Sequence, residues 1–199
     1  MKPKLVGALL LVVLLLGVGA YALVATGPGA PRGSLVVARD MVEVVAMSDV
    51  IVVGTVTAEG GRRNTARDPN DLTREDPNFT SIAQEYVFAV EEVLKGDAGA
   101  TITVAIARYG TIRDGLRTTD FKYETFIPLT IGARYVLMLR LAPTEPDLHA
   151  IAFEPSRFEL GEMAVARSAW HDAGEHFPER PTDDFLRELR ALIANGAGP

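Results

Sequence analysis

Between Tyr86 and Ala107 the chain dictates its own geometry. Tyr86, Phe88, Val90 and Leu94 fall on one side of an extended backbone, and Ile102, Val104 and Ile106 repeat the two-residue period after a break. The break, Lys95-Gly96-Asp97-Ala98-Gly99, is small and polar and tolerates positive φ, so the two halves predict antiparallel strands of a hairpin. A hairpin alone is marginal in water. The rest of the chain must supply further strands or a helix to cover its apolar face.

The flanking sequence offers both. Leu35 to Met47 carries Val37, Met41, Val44, Val45 and Ser48 at helical spacing and predicts a helix, although its β-branched residues work against one. After Ser48-Asp49, the run Val50 to Thr57 is apolar on both faces, as in a central strand. Gly54 in its middle predicts a bend or bulge of the kind a small barrel needs. Arg134 to Leu141 predicts another strand, set up by a turn at Ile131-Gly132-Ala133 and ended by Pro143 and Pro146. His149 to Phe153 and Ser156 to Ala166, around Pro155, predict one or two more, for a sheet of five or six strands.

Two stretches break the pattern. Glu59 to Gln84 is dense in charge and contains Gly60-Gly61, Pro69 and Pro77, with only Leu72, Phe79 and Ile82 large and apolar, so it predicts a long loop. Arg108 to Gly132 holds Gly110, Gly115 and Pro128 among the aromatics Tyr109, Phe121, Tyr123 and Phe126, and predicts a connection with some of those rings packed beneath it. The last element is an amphipathic helix. Thr182 is its expected N-cap, Asp183 and Asp184 place negative charge at its positive end, and Gly196 is its expected stop. Phe185, Leu186, Leu189, Leu192 and Ile193 form the stripe that must lie on the sheet.

Ahead of all this, Lys2 and Lys4 precede an uncharged apolar run from Leu5 to Val24, about 30 Å if helical and long enough to cross a bilayer. Residues 1–25 therefore predict either a transmembrane anchor or a signal peptide cleaved near Ala20-Tyr21-Ala22. In both cases the lysines stay in the cytoplasm and the bulk of the chain lies outside it. Residues 26–34 form a Pro/Gly linker, and residues 35–199 a single extracytoplasmic domain. The chain has no cysteine, which removes a lipoprotein anchor, disulfides and thiolate chemistry together. With Lys2, Lys4 and Arg32 set aside from the 20 basic residues, 17 face 26 acidic ones, a net of about −9. Such a field repels phosphate backbones and anionic lipid surfaces and excludes nucleic acid as the expected partner.

Three segments carry a family likeness: Ser48-Asp49-Val50-Ile51-Val52-Val53-Gly54-Thr55-Val56, Phe88-Ala89-Val90-Glu91-Glu92-Val93-Leu94-Lys95-Gly96 and Gly132-Ala133-Arg134-Tyr135-Val136-Leu137. In this order they resemble a netrin-type module, the OB-like barrel shared with the tissue inhibitors of metalloproteinases. They are also similar to a group of exported bacterial proteins of unassigned activity. The resemblance spans about Ser48 to Leu160 and implies a mainly β (α+β) fold: a five- to six-stranded OB-like antiparallel barrel, a helix before the first strand and a C-terminal helix. It does not bring inhibition with it. The inhibitors chelate zinc through an N-terminal cysteine, and no residue here corresponds to it.

Candidate chemistry is thin. His171-Asp172-Ala173-Gly174-Glu175-His176 would group two imidazoles with two carboxylates only by folding back, because a spacing of five does not align them on a helix. Asp68, Asn70, Asp71, Glu75 and Asp76 gather oxygen ligands of the kind calcium takes, but Thr73 stands where an EF-hand needs glycine. Glu91-Glu92, as strand neighbours, face apart, and Gly-x-Ser-x-Gly and phosphate-binding glycine loops are missing. Trp170, Tyr109, Tyr123 and Phe126 suit either a binding surface or core anchors. The sequence thus predicts no catalytic residue, no cofactor and no metal. It predicts a non-catalytic module that binds an unknown protein or small ligand outside the cell and meets the membrane only through its N-terminal segment. The alternatives are an envelope hydrolase assembled from distant residues and a calcium-dependent adhesion or envelope component.

Overall fold

The computed structural model describes residues 36–142 and 145–196. The predicted span Leu5–Val24, the linker 26–34 and Leu35 lie outside the described residues. Among the described residues no helix is long and apolar enough to cross a membrane.

The fold is mainly β. In chain order it contains helix α1 (Met41–Met47), strands β1 (Val50–Asn64), β2 (Arg67–Asp68), β3 (Asp71–Glu75), β4 (Phe79–Lys95), β5 (Thr101–Asp114), β6 (Arg117–Lys122), β7 (Arg134–Ala142), β8 (Glu145–Ala150), β9 (Arg157–Leu160) and β10 (Met163–Ala166), a turn of helix α2 (Ala173–His176), β11 (Arg180–Pro181) and helix α3 (Thr182–Ala194). One large mixed sheet follows the order β1-β4-β5-β8-β7-β9-β10-β11, with β6 paired to the distal part of β5, on the edge that β8 takes nearer its start, and a further pairing between β1 and β7; β2 and β3 make a separate ribbon. All its pairings are antiparallel except β5 with β8, where Thr103, Val104 and Ala105 oppose Leu148, His149 and Ala150 in parallel.

The predicted hairpin is β4–β5. Tyr86, Phe88 and Ala89 oppose Val104, Ile102 and Thr101, and Gly96 takes φ 75° in the turn, where a Cβ would lie 2.4 Å from the Asp49 carbonyl. β1 and β7 are buried on both faces because each lines two apolar clusters. Val50, Val52, Val56, Tyr135, Leu137 and Leu139 pack with Tyr86, Phe88, Ile102, Val104 and Ile106. The alternate residues Ile51, Val53, Val136 and Met138 pack with Val44, Val45, Phe153, Phe158, Phe185, Leu186 and Leu189. The α3 stripe therefore lies on the sheet, and Arg190 fastens it to Glu92 at 2.7 Å.

Gly54 sits where the β1–β4 register shifts. A Cβ there would stand 2.1 Å from the Ala89 carbonyl oxygen, so the sequence's bulge glycine is required by the closeness of the neighbouring backbone.

Several expectations are corrected. The helix expected over Leu35–Met47 is confined to Met41–Met47, because Val36–Ala38 is drawn into extended pairing with Glu154, and Asp40 then caps the helix by accepting from Glu43 N at 2.9 Å. The expected loop at Glu59–Gln84 is the end of β1, the β2–β3 ribbon and the start of β4, and the connection Arg108–Gly132 begins as β5 and β6. The strand count accordingly exceeds five or six. Thr182 is the first helical residue and no side-chain cap; its hydroxyl donates to Gly161 O at 2.8 Å. Gly196 stops the helix as expected, at φ 74°.

Candidate functional site

β1, β4 and β5 run for 15, 17 and 14 residues, more than the core can use. At about 3.3 Å per residue β4 is about 56 Å long. The distal parts of these strands, with β6, continue past the core as a sheet extension, and the β2–β3 ribbon joins the ends of β1 and β4.

Gln84 marks the boundary between core and extension. It is buried, and its Nε2 donates to Gly60 O at 3.1 Å and Gly61 O at 3.0 Å, stitching the β1 irregularity between Glu59 and Arg62. Its Oε1 accepts from Arg62 Nε at 3.4 Å and from Arg108 Nη1 at 3.5 Å. The Arg108 guanidinium also lies over the Phe126 ring, 5.2 Å from its centroid.

Beyond Gln84 one face of the extension is aromatic. Phe79 on β4 stacks parallel to Phe121 on β6 at 6.2 Å, and Phe121 meets Tyr123 edge-on at 5.2 Å. Gly110 of β5 lies between them without a side chain; a Cβ there would come within 2.4 Å of Phe121 Cζ, so the glycine is what lets the ring lie flat on the sheet. The Tyr123 hydroxyl reaches Ser81 Oγ at 3.1 Å. These rings are half-buried.

At the root of the extension a cluster of charge joins β1, β2, β4 and β8. Arg63 contacts Glu85 and Glu145 at 2.6 Å each and Asp147 at 3.6 Å, while Arg67 pairs with Glu145. The hydrogen bond it donates to Glu145 holds the Arg63 guanidinium above its ordinary value, against partial desolvation. A second polar cluster is fully enclosed. Arg157 donates to Glu154 Oε1 at 2.7 Å, Arg167 O at 2.8 Å, Ile127 O at 3.0 Å and Thr125 O at 3.1 Å, and so pins the connector after β6 and the segment after β10 to β9. Burial pushes the Glu154 carboxyl up and the Arg157 guanidinium down; their mutual charge opposes both, as do Ser168 and the Ala169 amide for Glu154. Among the described residues Glu154 Oε2 nevertheless has no partner in hydrogen-bond geometry, nor does Ser156 Oγ. This pair acts as a structural clamp, unsignalled in the sequence because three of the four partners of Arg157 are main-chain carbonyls.

The residues singled out by sequence are dispersed. His171 is exposed and contacts its neighbour Asp172 at 3.0 Å, while His176 stacks on Trp170 at 4.7 Å and faces the Arg39 carbonyl through Nδ1. His149 is buried on β8 with Nδ1 unpartnered, and desolvation lowers its pKa. Asp68, Asp71 and Asp76 each accept the backbone N–H two residues ahead, from Asn70, Thr73 and Asn78; they shape the turns of the ribbon instead of converging on a point. Among the described residues no group of three or more His, Asp or Glu is arranged to hold a metal. Glu91 binds Thr55 and Arg134, whereas Glu92 binds Arg190. Trp170 packs at 6.4 Å against Phe177 in the helical core. Of the four aromatics expected either to line a surface or to anchor loops, Tyr123 stands on the extension and Phe126 packs against the inner cluster. No protein-family model matches the chain, and no curated protein matches it.

Proposed function

We propose that residues 35–199 form a non-catalytic binding module, delivered outside the cytoplasm by the apolar N-terminal segment, and that its ligand surface is the sheet extension. The observation that carries this reading is the half-exposed aromatic row Phe79, Phe121 and Tyr123, laid across strands that continue past the core. A sheet face the core does not need, floored by Gly110 and set firmly by the Arg63 and Arg157 clusters, is a preorganised platform for a partner.

The pairings support an OB-like barrel as its frame. β1 pairs with β4, β4 with β5, β5 with β8 in parallel, β8 with β7, and β7 with β1 again, a closed circuit of five strands. OB-like barrels bind ligands on one sheet face and its bordering loops. The segments bordering that face here are the β2–β3 ribbon and the β5–β6 hairpin. The net negative charge favours a protein or a cationic ligand.

The test is in-cell photocrosslinking of the full chain with the reactive group placed at Leu72 or Leu116, both exposed on the extension, and at Arg187 on α3 as a control. One partner captured reproducibly from the first two positions and not from the third supports the proposal. No capture at any position, together with turnover of an ester, peptide or glycoside substrate by the purified chain, overturns it.

A further inference from the structure

The outer edge of β6 is shaped to pair with itself. Two backbone contacts fix its parity: Tyr123 N donates to Arg108 O at 3.1 Å, and Arg113 N donates to Asn78 O at 2.7 Å, away from β6. In the alternating pattern of an antiparallel pair, Phe121 and Thr119 therefore bond to β5, while Thr118, Asp120 and Lys122 turn their N–H and C=O groups outward. Among the described residues β6 pairs with β5 alone. Soluble proteins protect such an edge with proline, a bulge or charged side chains, and the charges of β6, Asp120 and Lys122, are of opposite sign. β6 has no proline, its six-residue register with β5 is unbroken, and Phe121 lies back over Gly110, away from the outer edge.

We propose that two copies of this chain associate through β6, antiparallel, about a two-fold axis at Phe121. The charges select that register. With the axis at Phe121, Asp120 faces Lys122 of the second copy and Lys122 faces its Asp120, one favourable pair repeated by symmetry. An axis at Asp120 sets two aspartates against each other, one at Lys122 sets two lysines together, and one at Thr119 gains no charge pair. Among the described residues neither Asp120 nor Lys122 has an ion-pair partner within its own chain; Asp120 Oδ1 accepts only from Thr111 Oγ1, at 2.7 Å. Asp120 and Lys122 of each strand exchange about four backbone hydrogen bonds with the other copy, and the aromatic face of one extension continues into that of the next. This inference stands whether or not the extension also binds a separate ligand.

The lack of cysteine makes the test clean. Single cysteines are placed in the full, detergent-solubilised chain at Thr119, Asp120, Phe121 and Lys122, one variant each, and disulfide dimers are followed on mild oxidation. Facing residues of a non-hydrogen-bonded pair bring their Cβ atoms close enough to bridge, so Phe121→Cys should crosslink on the order of tenfold faster than the other three. In sedimentation of the otherwise unaltered chain, Asp120→Lys and Lys122→Asp should each abolish the dimer, and the double exchange should restore it, because opposite charges then face each other again. A monomer at every concentration, equal crosslinking at all four positions, or a double exchange that fails to restore a dimer lost in the single variants would overturn the proposal.

Discussion

Replacing Arg157 by methionine tests how far the enclosed cluster holds the fold together. The guanidinium is fully buried and makes four hydrogen bonds, one to Glu154 and three to carbonyls of segments distant in sequence. Breaking a buried ion pair from one side costs about 3–5 kcal/mol, and a carbonyl left without its donor adds about 1–3 kcal/mol. Methionine restores some packing and Glu154 can shed its charge by taking a proton, so the expected net loss is about 4–6 kcal/mol. A domain of this size has about 5–15 kcal/mol in total. Urea unfolding followed by Trp170, the one tryptophan of the chain, reads the change directly from within the helical core. The pH dependence gives an independent sign. Burial already holds Glu154 above its ordinary value, so protonation favours the folded state, and this contribution is lost as pH rises through the folded pKa. Without Arg157 the carboxyl rises further, and the deficit of the variant should be largest near about pH 8 and shrink towards about pH 5. A loss below about 1 kcal/mol, or a deficit that widens in acid, would refute the reasoning.

Three further outcomes are expected. Gly54→Ala forces a methyl group to within 2.1 Å of the Ala89 carbonyl oxygen and should cost about 2–4 kcal/mol in the same urea titration, since a backbone atom has to move. Leu189→Ala, at the centre of the α3 stripe, should cost about 2–5 kcal/mol and show as a lowered melting temperature by circular dichroism. His149 has its pKa depressed by burial below the usual 6.5, so the folded chain resists protonation, and stability present above that value falls as pH drops towards the folded pKa. His149→Leu should flatten the acid side of the stability profile, measured as melting temperature against pH.

What was legible in the sequence was whatever the core imposes on it. The Tyr86–Ala107 hairpin, the doubly apolar Val50–Val56 and Tyr135–Leu139 runs and the Phe185–Leu189 stripe all bury a face, and burial writes a period into the residues. The sheet extension buries little. Asp71–Glu75 is exposed throughout, and Arg117–Lys122 nearly so, so their alternation is carried by Thr, Asp and Arg and reads as loop. Gly60-Gly61, which signalled a break, accommodates a bulge that Gln84 closes with two hydrogen bonds. The Arg63 and Arg157 clusters were invisible for another reason. The paired members lie 22 to 84 residues apart in the first, and in the second the partners of Arg157 beyond Glu154 are main-chain carbonyls, which no side-chain pattern records.

Two strands, β1 and β7, wall off both oily compartments of this molecule, one with each face. Neither compartment can melt while the other stays intact, because loosening either one withdraws a wall from its neighbour. Tyrosine signals from Tyr86 and Tyr135 on one side and the Trp170 signal on the other should therefore disappear together, and a mutation in the helical half should be felt in full by the half it never touches.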